Sequence, residues 1–230
     1  MPRGSDARLK WPFRPCATFV RLRNGAAAVS IGLLLGILTA ALGKYAVALP
    51  AATEDRAVVP MWRLLAMGAG VLPALALHSS LADLEQQTST IRKMERRYLA
   101  GVATATGLAY LAAAAVTLPI TLIAVLARSI VGWLGLSLLS GRFLGWRLSW
   151  GAPIMIFAVL VYWGTGGDGQ VYEWWEFSAR PHSDSASMAL CLVLFAVGVC
   201  AQAMTPWRIR RLTSVPQAGR RGSRPLRRHT

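Results

Sequence analysis

Arg128 stands inside the apolar stretch IAVLARSIVGW, where a guanidinium needs a partner or a wet cavity. Leaving it in contact with lipid would cost several kcal/mol, and about 2.5 on the most lenient scale. Such a group could bond to carbonyls of irregular backbone, reach a wet vestibule, or line the path of an anionic or amphipathic substrate. His182, with Asp184 and Glu173 near it in sequence, could be drawn as a metal site, but the spacing matches no ligand pattern and a solvated histidine is expected. Catalysis on lipid would have to be carried by Arg128, His78 or His182. No H-E-x-x-H, G-x-S-x-G or G-x-x-x-x-G-K-[ST] occurs in the chain, so neither catalytic residues nor a metal are assigned.

The elements around these residues are dictated by composition. Of 230 residues, 54% are hydrophobic and 15% charged, the balance of a membrane protein. Apolar runs near the roughly 20 residues that cross a bilayer lie at 25–48, 61–79, 99–117, 119–139, 148–164 and 186–204. These predict an all-α integral membrane protein with six transmembrane helices. Pro119 divides the third and fourth runs, because proline disfavours helix in the residue before it, and the hairpin there must be short. The six runs contain no Asp or Glu, which argues against a proton relay and for an energy source outside the chain.

The net charge of +15 is explained by where the charges fall. Arg92, Lys93, Arg96, Arg97, Arg142 and Arg147 share one side with two arginine-rich ends. Glu54, Asp55, Asp168, Glu173, Glu176 and Asp184 share the other with Lys44, Arg56, Arg63 and Arg180. This is the positive-inside pattern, and it predicts that the N-terminus and C-terminus are both cytoplasmic. The basic balance serves insertion and attraction to anionic headgroups, and nucleic acid is not an expected partner. Basic residues 1–24, interleaved with Trp11, Phe13 and Phe19, read as an interfacial segment ahead of an uncleaved first span. Residues 25–205 form the transmembrane domain, and the basic tail 206–230 is expected to be largely disordered. Cys16 lies on the cytoplasmic side, and Cys191 and Cys200 share one helix, so no disulfide framework is expected.

Two further patterns bear on contacts. Gly32 and Gly36 form a G-x-x-x-G pair that lets another helix approach, either within the subunit or as the interface of a dimer. Tyr172, Trp174, Trp175 and Phe177 make the outside segment before the last span strongly aromatic and suit the interfacial belt. The polar stretch HSSLADLEQQTSTIRKMERRY, 78–98, is acidic then basic in the order that complements a helix dipole. Leu81, Leu84, Ile91, Met94 and Tyr98 form one apolar stripe along it. It could lie on headgroups or enter a groove on a soluble partner.

The layout resembles the membrane subunit of an ATP-binding cassette (ABC) exporter, in the compact six-span type-2 permease class. The resemblance rests on the interfacial N-terminal segment, LADLEQQTSTIRKMERR after span two, the tight turn at Pro119, VYEWWEF before span six and the basic end PWRIRRL. It implies that 80–90 is a coupling helix docking on a separate ABC ATPase, through Leu81, Leu84, Glu85 and Gln86 with Arg92, Arg96 and Arg97 at its flank. It also implies that the aromatic segment corresponds to the re-entrant outer helices of the class. A second permease subunit, a bacterial inner-membrane location, and ATP and Mg bound only by the partner follow from the same resemblance. Short outside loops favour lipid, antibiotic or peptide cargo over polysaccharide. A non-transporting scaffold or sensor that recruits a cytoplasmic partner through 78–98 is the alternative.

Overall fold

In the computed structural model, residues 24–52, 57–78, 89–166 and 171–203 are described. They form a helical bundle with two short β-hairpins at one end. Helix α1 spans Gly25–Leu42, α2 Met61–Leu75, α3 Ser89–Ala114, α4 Ile120–Leu144, α5 Gly151–Trp163 and α6 Ser185–Ala203. A 3-10 turn, Trp146–Leu148, precedes α5. Among the described residues, four helical stretches are long and apolar enough to cross a membrane: α1, α4, Trp146–Trp163 and α6. Helix α2, apolar but of 15 residues, is shorter, and α3 opens with a charged turn.

The first apolar run does not continue as helix to residue 48. Helix α1 stops at Leu42, and Ala46–Leu49 (β1) pairs antiparallel with Ala57–Pro60 (β2), Val47 opposite Val59. Val47, Ala48 and Leu49 are as compatible with a short strand as with helix, and here the strand wins because Pro60 ends the hairpin where α2 begins. At the hairpin between α3 and α4, Pro119 stands in extended conformation as the residue that opens α4, as the sequence predicts.

Successive helices run up and down. One end therefore gathers the C-termini of α1, α3 and α5 with the N-termini of α2, α4 and α6, both hairpins and residues 173–184. Lys44, Arg63, Glu173, Glu176, Arg180 and Asp184 lie at this end, and Arg96, Arg97 and Arg147 lie exposed at the other. This separation of charge along the bundle is the one expected of a chain oriented across a bilayer.

The centre is α4, which packs on α2, α5 and α6. Trp133 on α4 is fully buried, between Phe157 of α5 and Phe177 of the connection to α6. Close helix contacts depend on glycine. A Cβ at Gly32 would stand 2.6 Å from Thr106 Cγ2, and one at Gly36 would stand 2.8 Å from Ala113 Cβ, both on α3. The glycine pair is thus used inside the subunit, between α1 and α3, and not on a face open to a second copy. The same joint carries a hydrogen bond of 2.9 Å between Thr39 and the buried Tyr110 hydroxyl. The outward faces are apolar: Ile31, Leu34 and Ile37 on α1 and Leu192, Val193 and Val197 on α6 are all exposed, as lipid contact requires and water would not favour.

Candidate functional site: a strap pinned by two arginines

The second hairpin pairs Thr165–Gly166 (β3) with Val171–Tyr172 (β4), and between β4 and α6 residues 173–184 form a series of turns without helix or strand. The sequence predicts an aromatic segment suited to the membrane interface, and at its start Trp174 is 67% exposed. Its middle is buried. Glu176, Phe177 and Ser178 are all at most 2% exposed, because this part of the segment folds back into the bundle as a strap. Phe177 supplies the apolar reason, its ring centroid lying 4.8 Å from that of Trp133.

The polar reason is a buried network. Arg63, in the first turn of α2, points its Nη2 at Glu176 Oε2 at 2.6 Å, with both side chains inaccessible. Its Nη2 and Nε also donate to Ser178 Oγ, at 3.0 and 3.3 Å. The other carboxylate oxygen, Oε1, accepts from the Ser178 N–H at 3.0 Å and from the Ser178 hydroxyl at 2.6 Å. Both oxygens of Glu176 are therefore bonded, the condition under which a buried charge is tolerated. The guanidinium carbon of Arg63 also lies 5.8 Å from the centroid of the Phe157 ring, within cation–π range.

Arg128 provides the second pin. It lies in the third turn of α4, in the N-terminal third of that helix. Nη1 donates to the Pro181 carbonyl at 2.9 Å and Nη2 to the Arg180 carbonyl at 2.6 Å. Of the roles open to it from the sequence, the structure places it on carbonyls of irregular backbone. Beside it, the Ser129 hydroxyl donates to the Ser178 carbonyl at 3.3 Å. Further along, Arg180 pairs with Asp184 at 3.1 Å. Asp184 accepts from the Ser187 N–H at 2.9 Å and from its hydroxyl, opening α6 as a helix cap does. Those Ser187 bonds, and secondarily the nearby Arg180 and Arg128, hold its carboxyl below the ordinary aspartate value.

Several predicted site residues fall elsewhere. Leu81, Leu84, Glu85 and Gln86 and the side chain of Arg92 lie outside the described residues, as do the basic segment 1–23 and the tail 206–230. Arg96 and Arg97, on the first turns of α3, are exposed at the opposite end from the strap. Tyr172 touches the strap only through its carbonyl, which Arg180 reaches at 3.4 Å. Trp175 is half-buried. His182 is exposed, and among the described residues no three His, Cys, Asp or Glu side chains gather as a metal-ligand set.

The sequence reading missed Arg63, Glu176, Ser178 and Ser129. It counted Arg63 and Glu176 as outside-loop charges, yet Arg63 lies two residues into an apolar run and Glu176 between Trp175 and Phe177. A charge so placed needs a partner, and these two are each other's.

No family model matches this chain, and no curated protein or solved structure matches it either.

Proposed function

We propose that this chain is the membrane subunit of an ABC exporter of the type-2 permease class. In this reading all six helices cross the cell membrane, α2 and α3 included, and both termini are cytoplasmic. The subunit is non-catalytic and works as a dimer with two ATPase subunits, which bind the ATP and Mg. The observation that carries the proposal is the opposition of the two ends. One end presents Arg96 and Arg97, the last charges of segment 78–98, and the other is closed by a strap pinned through Arg63 and Arg128. An alternating-access device needs this asymmetry: a face that receives motion from a soluble motor, and a far gate.

ATP binding would draw the ATPases together and move segment 80–90, and the connected helices would tilt to open the outer end. The cargo is a small amphipathic molecule, a lipid, an antibiotic or a peptide. Arg128 would line its path once released from the strap carbonyls.

The test is purification in mild detergent with mass spectrometry of the proteins that accompany the chain, repeated with Leu84→Arg and Glu85→Arg. A stoichiometric partner carrying Walker nucleotide motifs, released by either substitution, supports the permease. A partner without such motifs supports the scaffold reading instead.

A further inference from the structure

We infer that the strap 173–184 is a movable plug with a seated and a lifted position, and that the Arg63–Glu176 pair is the latch between them. As the outer gate of the proposed permease it rests on that reading, whereas the two-position strap itself does not.

Four observations converge. First, among the described residues no ladder of backbone hydrogen bonds ties the strap to the helices: the Glu173 N–H bonds the Gly164 carbonyl at 3.1 Å at its start, and the Asp184 carbonyl accepts from the Met188 N–H at 3.3 Å at its end. Across the gap it is held by side chains: Arg63 on Glu176 and Ser178, Ser129 on the Ser178 carbonyl, and Arg128 on the Arg180 and Pro181 carbonyls. Such bonds can be exchanged for water without unfolding any helix.

Second, a buried ion pair is a poor choice for a permanent plug, because well-packed apolar residues of similar volume hold as well or better. It suits a plug that leaves, since both charges regain hydration when it lifts. Third, in the seated state the two buried α4 donors nearest the strap, Arg128 Nε and Trp133 Nε1, have no partner among the described residues. Trp133 lies directly against Phe177 and Arg128 holds the strap, so water entering behind a lifted strap would satisfy both. Fourth, the chain leading into the strap is glycine-rich, GTGGDG at 164–169. A Cβ at Gly164 would come within 3.0 Å of Glu176 Oε2 and close to the Leu160 carbonyl. Glycine at 164 leaves room for the latch carboxylate.

The chain carries its own reporter. Cys191 on α6 is buried, and a Cβ on Gly132 would lie 3.0 Å from both its Sγ and Phe177 Cε2, so thiol and plug share one face of α4. Lifting Phe177 would wet Cys191. The chain has three cysteines, so Cys16→Ala with Cys200→Ala leaves Cys191 as its single thiol.

The experiment is the rate at which this single-thiol protein, in detergent and without any ATPase, reacts with a small charged methanethiosulfonate reagent. It is repeated in Glu176→Gln and Ser178→Ala, with size exclusion and melting to certify the fold. Glu176→Gln strips the latch of its charge and is expected to raise the rate about tenfold or more, and Ser178→Ala about threefold. Unchanged rates in both folded variants overturn the plug. If Glu176→Gln does not fold, Ser178→Ala decides by the same criterion. Because no ATPase is present, failure here removes the plug and leaves the permease proposal to its own test.

Discussion

Arg63 and Glu176, 113 residues apart in sequence, meet at 2.6 Å with neither side chain more than 1% exposed. This contact joins the first turn of α2 to the connection before α6. It determines which part of an aromatic, surface-like segment lies inside the bundle. Its energetics are asymmetric. The intact pair adds little over an apolar substitute, but half of it is a buried charge with no counterpart. Arg63→Ala is therefore expected to cost about 3–5 kcal/mol, and Arg63→Met combined with Glu176→Leu to recover most of that loss. Thermal unfolding in detergent reads both, and a single substitution costing under about 1 kcal/mol would place the pair in water.

Arg128 offers a planar fork to two successive carbonyls, which the compact ammonium of lysine does not match. Arg128→Lys is expected to leave one carbonyl unsatisfied and to lower stability by about 1–3 kcal/mol. An unaltered melting transition would mean that these carbonyls have water to bond to.

Glycines separate into those that hold helices together and those that do not. Gly36→Leu must force α1 off α3, at about 1–3 kcal/mol or more. Gly107→Ala, on the same α3 but with nothing within 4 Å of an added Cβ, should be neutral or stabilising by up to about 1 kcal/mol. Comparing the melting of the two variants distinguishes a packed from a lipid-facing glycine.

Asp184 gives the strap's far end an acid limit. Its carboxyl titrates below the ordinary value, chiefly through the Ser187 bonds. Its stabilising effect is thus complete above about pH 4, and it is lost as pH falls from there through the depressed value. Asp184→Asn, which can still cap α6, should remove this dependence and, at neutral pH, give up the stability that the native chain loses only in acid. Melting curves recorded from pH 7 to pH 3 would show the difference.

Much of the fold was legible because hydropathy and punctuation speak directly. The apolar runs mark the helices, Pro119 places the α3–α4 hairpin, and the i, i+4 glycines announce a close approach. What they could not supply is the partner. Gly32 and Gly36 read equally as a subunit contact until α3 is seen against them, and Val47 to Leu49 fit helix or strand until Pro60 closes the hairpin. The strap was hidden for a similar reason. Local composition around Glu176 and Phe177 is that of an interface, and only the distant Arg63 and Trp133 draw them inward. Arg128 was found because a charge in an apolar run is conspicuous. Arg63 was passed over because it stands near the end of one.

The proposal that a separate ATPase moves this bundle is tested most directly by ATP hydrolysis in the size-exclusion peak of the affinity-purified chain. The expected result is vanadate-sensitive hydrolysis that co-elutes with the chain and disappears from the peak in Glu85→Arg. A monodisperse peak of native chain without ATP hydrolysis, or hydrolysis that Glu85→Arg leaves in place at the same ratio, would contradict it.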